Sequence, residues 1–116
     1  MTFDDGIVKV YKVINQKAAG EIPKKGLEFL RSFHFAFQNI GITRMYEAIK
    51  ENQQVDAIIA VYSDREVTTN DIAILEDDKQ YIIRTIQPTV DENGIKIMKL
   101  ALERNGENFE IVDRNA

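Results

Sequence analysis

The chain has 116 residues, 44% hydrophobic and 29% charged, and its 15 basic and 19 acidic side chains leave a net charge of -4. That size supports one domain with one modest core, and the composition excludes global disorder and the concentrated Lys and Arg that tight sequence-independent duplex binding needs. With no cysteine and a single histidine, disulfides, thiolate metal sites and any site needing two imidazoles are excluded as well.

In chain order, the opening M-T-F-D-D-G has no basic start followed by an apolar run. The longest apolar stretches also fall well short of the ~18 residues of a membrane helix, so a soluble, cytoplasmic protein is expected. Asp4, Asp5 and Gly6 read as a turn before a strand over Ile7 to Ile14. Asn15 to Gly26, with two glycines, Pro23 and Lys24-Lys25, reads as an irregular connection with one helical turn near Lys17 to Ala19. In Leu27 to Gln38 the phenylalanines at 29, 33, 35 and 37 fit either a strand face, interrupted by Arg31, or a helix stripe. Their odd-position spacing favours a strand over Ser32 to Gln38. Thr43 then suits an N-cap, and Ile42, Met45, Tyr46 and Ile49 fall on one helical face, which predicts a helix from Thr43 to about Glu51. Val55 to Tyr62 reads as a buried strand, and Val67 with Asp71 to Leu75 as a short piece.

The strongest signal is Gln80 to Arg104. Two alternating runs rich in Ile, Val, Tyr and Leu flank D-E-N-G, a hairpin pattern. Its first arm sets Ile82, Arg84 and Ile86 against Tyr81, Ile83, Thr85 and Gln87. Its second sets Met98, Leu100 and Leu102 against Ile95, Ile97, Lys99, Ala101 and Glu103. N-G-E-N is a further turn, and F-E-I-V a last short edge strand. The expected architecture is mainly β: a small barrel or two-layer sandwich of about six antiparallel strands, one short helix and long loops, in a single domain spanning residues 1–116.

No motif carries chemistry. There is no phosphate loop, nucleophile elbow or helix-borne His-Glu pair, and neither Ser32 nor Ser63 belongs to an evident triad. His34, between Phe33 and Phe35, is expected on the solvent side of its strand. The acidic clusters Asp4-Asp5, Glu76-Asp77-Asp78 and Asp91-Glu92 lack the ligand spacing of a calcium loop and coincide with turns. No catalytic residue, cofactor or metal is therefore expected. The phenylalanine cluster reads as core. It also suits a stacking platform for single-stranded nucleic acid or, with Met45 and Tyr46, a surface covering a neighbouring subunit.

Three stretches together resemble the small head–tail joining proteins of tailed phages and prophages of Gram-positive bacteria, also called head-closure or connector proteins. They are F-A-F-Q-N-I-G-I-T-R-M-Y-E-A-I (Phe35 to Ile49), N-Q-Q-V-D-A-I-I-A-V, and D-I-A-I-L-E-D-D-K-Q-Y-I-I-R-T-I-Q; the N-terminal D-D-G-I-V-K-V-Y also fits. One departure is the acidic turn, where the family usually has glycine and this chain has Asp78-Lys79.

The resemblance implies a structural role rather than an enzymatic one: a small β-barrel assembling with its own copies as a ring below the portal. Its partners would be portal or adaptor and tail-completion proteins. DNA would be a non-specific passenger in the channel, and no membrane would be involved. The place would be the host bacterial cytoplasm during assembly, then the virion neck. Arg44, Tyr46, Gly41 and Ile42, where the resemblance is densest, are the implied subunit or portal contacts. The alternative is a small-barrel nucleic-acid-binding module with a basic stripe of Lys24, Lys25, Arg31 and Arg44; an uncharacterised enzyme is a third reading.

Overall fold

A computed structural model describes residues 2–16, 24–38 and 55–112. Within them the chain forms β1 (Gly6–Gln16), β2 (Lys24–Gln38), β3 (Ala57–Tyr62), β4 (Ile72–Ile74), β5 (Gln80–Val90), β6 (Lys96–Arg104) and β7 (Glu110–Val112). They make one seven-stranded sheet in the order β1-β4-β5-β6-β3-β2-β7, and an additional β1–β2 ladder brings the first and sixth positions together. The six long and short strands β1 to β6 therefore form a closed, sandwich-like circuit of antiparallel ladders. The short β7 lies outside it, parallel to Gly26–Glu28 of β2. The architecture is mainly β, as the sequence led us to expect. The helix expected from Thr43 and the helical turn near Lys17 both lie outside the described residues.

The inner faces meet in one core: Val8 and Val10 of β1, Phe35 of β2, Ile59 and Val61 of β3, Ala73 of β4, Ile83 of β5, and Met98, Leu100 and Leu102 of β6. Register explains the selection, because directly paired residues share a face. Ile59 sits opposite Leu100 and Val61 opposite Met98. A second, smaller core lies on the outer face, where Tyr11, Leu27 and Ile72 pack with Val13, Ile74, Ile82 and Phe109. Phe109 thus covers the sheet from outside. On β6 the opposite face is apolar too, with Ile97 and Ala101 also buried.

Two one-residue register shifts correct the expected faces. In β5 the shift falls between Ile83 and Thr85, leaving Arg84 as the extra residue. Ile82 consequently joins the outer cluster, whereas Ile86 packs against the inner core with Ile83; strict alternation had put Ile82 and Ile86 together. In β2 a shift opposite Val10/Tyr11 leaves Leu30 extra. Phe29 then meets Tyr11 edge-on at 5.5 Å on the outer side, and Phe33 and Phe35 turn inward. A bulge switches which residues face the core, and simple period-two reading passes over it.

β2 is also longer than the Ser32 to Gln38 expected. Lys24, Lys25 and Gly26 belong to the strand, because β1 continues to Gln16 and pairs with them in register. Cross-strand pairing overrides their weak β-propensity.

The turns behave as their residues dictate. Asp91 Oδ1 accepts the N–H groups of Asn93 and Ile95, each at 2.9 Å, and Gly94 adopts a φ of +76°. The bond from Ile95, above all, holds the Asp91 carboxyl below its ordinary pKa. At the acidic turn, Asp78 takes the left-handed conformation that glycine usually supplies, with φ +59°, and its N–H donates to Leu75 O at 3.0 Å. The turn closes tightly without glycine, since Asp tolerates this region better than most residues.

Gly6 is used differently. Its φ is +141°, and a Cβ there would come within 2.8 Å of Glu76 Cγ. Glu76 Oε1 is meanwhile fixed by the Ile7 N–H at 2.8 Å. Gly6→Ala is expected to lose about 2 kcal/mol of stability, read as a lowered urea midpoint with an unchanged slope. A midpoint equal to the parent's would show that this strand start relaxes freely.

Candidate contact surface

One end of the circuit is where chain segments far apart in sequence converge. Asp5 precedes β1, Phe35 and Phe37 end β2, Asp56 and Ala57 open β3, Leu75 to Asp77 follow β4, and Tyr81 opens β5. Together they line a cavity of about 350 Å³. The strand ends put inward-facing side chains on its walls: Phe37 meets Phe35 edge-on at 5.0 Å, and Phe37 is 54% exposed.

The carboxylates around this mouth hold backbone ends in place. Asp5 Oδ2 accepts the Phe37 N–H at 2.8 Å, and Asp56 Oδ2 that of Arg104 at 2.6 Å. Asp77 Oδ1 accepts the Lys79 N–H at 3.0 Å, while its Oδ2 accepts the Tyr81 hydroxyl at 2.9 Å. Burial first, then that bond and the Asp77 charge, raises the Tyr81 phenol above its ordinary value. The Arg104 guanidinium sits 5.8 Å from the Tyr81 ring centre, and its NH1 donates to the carbonyls of Gln80 and Asn105. The phenol and carboxylates of this mouth are thus occupied in tying chain segments together.

Among the described residues, no group of three or more His, Cys, Asp and Glu is placed to hold a metal ion. His34 is exposed, on the face opposite Phe33 and Phe35, and is paired in register with Ile7. Such a position predicts that His34→Gln leaves the unfolding free energy from urea titration within about 0.5 kcal/mol of the parent's; a larger loss would reveal a partner for the ring.

Arg44, Tyr46, Gly41 and Ile42 lie outside the described residues. Their segment departs after Gln38 and rejoins at Val55, beside Phe37 and Asp56 of the mouth. The basic stripe is only partly free where it is described. Arg31 is committed to Asp64 and, at 3.5 Å, to Glu66, and Lys25 lies over the Phe109 ring at 6.0 Å. Sequence reasoning saw Asp5 and Asp77 only as turn formers and Asp56 as part of the strand over Val55 to Tyr62, and missed the mouth that they share. A usable signal was present: Asp5 and Asp56 each stand just before a strand start, where a carboxylate can accept a neighbouring strand's N–H, and Asp77 stands before β5, where it accepts the Lys79 N–H of its own turn.

A scan against protein-family models finds no match for the chain, and a search of curated proteins finds none either. Among the described residues, no helix is long and apolar enough to cross a membrane.

Proposed function

We propose that this chain is a structural component of a tailed-phage or prophage neck, a head–tail joining piece that sits below the portal, continues the DNA channel and docks the tail. The observation that carries the reading is the mouth of the circuit. Its polar groups hold strand ends rather than poise a reaction, and the stretch that most resembles head–tail joining proteins begins there, at Phe35. On this reading the chain binds copies of itself, portal or adaptor proteins and tail-completion proteins, and meets DNA only in passing. Its place is the host bacterial cytoplasm during assembly and then the virion neck. An acidic balance favours passage, because like charge keeps DNA from adhering to a channel wall.

A small nucleic-acid-binding barrel is the competing reading. The engagement of Arg31 by Asp64 and Glu66 weighs against it, since each neutralised cation removes a phosphate contact. Imaging of purified particles carrying a tagged copy tests the proposal: the tag is expected at the head–tail junction. Tag density elsewhere, or steeply salt-dependent oligonucleotide binding by the isolated protein, would count against it.

A further inference from the structure

We propose that a second cavity, on the outer face between β5 and the C-terminal segment, receives an acidic side chain of a partner protein flanked by apolar residues. The cavity measures about 300 Å³. Val13, Ile72, Ile82 and Phe109 make its apolar floor and wall, and Lys25, Arg84 and Asn70 supply its polar groups. Among the described residues, no carboxylate lines it. In contrast, the mouth is lined by Asp5, Asp56, Glu76 and Asp77, and the cavity over β1 and β4 carries Glu76 and Asp78 beside Lys9. In a chain of net charge -4, the described lining is therefore basic, with Glu103 pairing Arg84 beside it.

Both cations line the cavity. Among the described residues, Lys25 makes no ion pair, and its ammonium lies 6.0 Å from the Phe109 ring centre. Among the described residues, Arg84 gives only its Nε to Glu103, which leaves the terminal guanidinium nitrogens for a second acceptor. The Asn70 backbone is fixed at φ +71° by its N–H bond to Ile83 O at 2.8 Å, while its side-chain amide makes no hydrogen bond among the described residues. Two cations and an amide over an apolar floor match one carboxylate on an apolar stem. They do not match a polyanion, which needs many phosphate contacts and would be repelled by the remaining acidic surface. The inference stands on this cavity alone and does not depend on the neck reading.

The test is a titration of ¹⁵N-labelled full-length protein with three probes. They are a capped peptide with one aspartate between two phenylalanines, its asparagine counterpart, and a short oligothymidylate. The aspartate peptide is expected to shift the amides of Lys25, Asn70, Ile72 and Ile82. The asparagine peptide should bind about tenfold more weakly, the loss of one charge-assisted contact. Lys25→Gln and Arg84→Gln should each weaken the aspartate peptide by a similar factor while leaving distant amides in place. Equal affinity for the two peptides, no shift with either, or oligothymidylate shifting these amides instead would overturn the proposal.

Discussion

Leu100→Ala is expected to remove about 3 kcal/mol of stability and to lower the melting temperature by about 10 °C. Leu100 is fully buried. It faces Ile59 of β3 on one side and Ile86 of β5 on the other, so its truncation opens a hole bounded by three strands whose ladders hold the backbone apart. Ladder-locked strands collapse poorly into such a hole, which places the cost above simple transfer of the lost methyl groups. Thermal unfolding followed by far-ultraviolet circular dichroism reads the effect. A shift of only a degree or two would mean that the circuit is loosely packed and can close around the gap.

The second large effect is expected at Asp71. Its side chain is 7% exposed, and its Oδ2 lies 2.8 Å from Lys12 Nζ. The same oxygen accepts the Thr68 N–H at 2.8 Å, and Oδ1 accepts the Thr68 hydroxyl at 3.3 Å. The Asp71 backbone carbonyl also accepts the Ile83 N–H at 2.9 Å. One residue thereby ties the loop before β4 to β1 and β5. Asp71→Asn keeps the shape but loses the charge toward Lys12, with an expected cost of about 2 kcal/mol. Lys12→Met leaves a buried carboxylate without its cation and should cost a similar amount. The double variant should cost less than the sum, because neither group is then left unmatched. Strict additivity in urea unfolding would show that the pair is incidental.

These two sites also mark where the sequence was legible. Leu100 declares itself through alternation with Met98 and Leu102 beside a D-E-N-G turn, a local pattern whose physics is local. β3, β4 and β7 were readable for the same reason, as apolar runs bounded by turn formers. Arg84 and Leu30 were not readable as bulge residues. Each is set by competition between two neighbouring ladders, and a shift of one residue leaves no compositional trace. The early start of β2 was hidden by Lys24, Lys25 and Gly26, which join a strand only because β1 runs long enough to pair with them.

The mouth was hidden for a different reason. Asp5, Phe37, Asp56, Asp77 and Tyr81 come from separate segments, and only closure of the strand circuit brings them together. The outer cavity depends likewise on Phe109 folding back over Ile72 and Ile82. The implied contacts Arg44 and Tyr46 rest on resemblance, and the described residues place only Gln38, at the end of β2, and Val55, ahead of β3, between which they lie in sequence.

The most direct measurement is deletion of the gene in a strain that produces phage particles, with complementation from a plasmid. The account predicts heads and tails that fail to join, with loss of packaged DNA from the open heads. Both defects should be repaired by the plasmid copy. Tailed, DNA-filled, infectious particles from the deletion strain would contradict it.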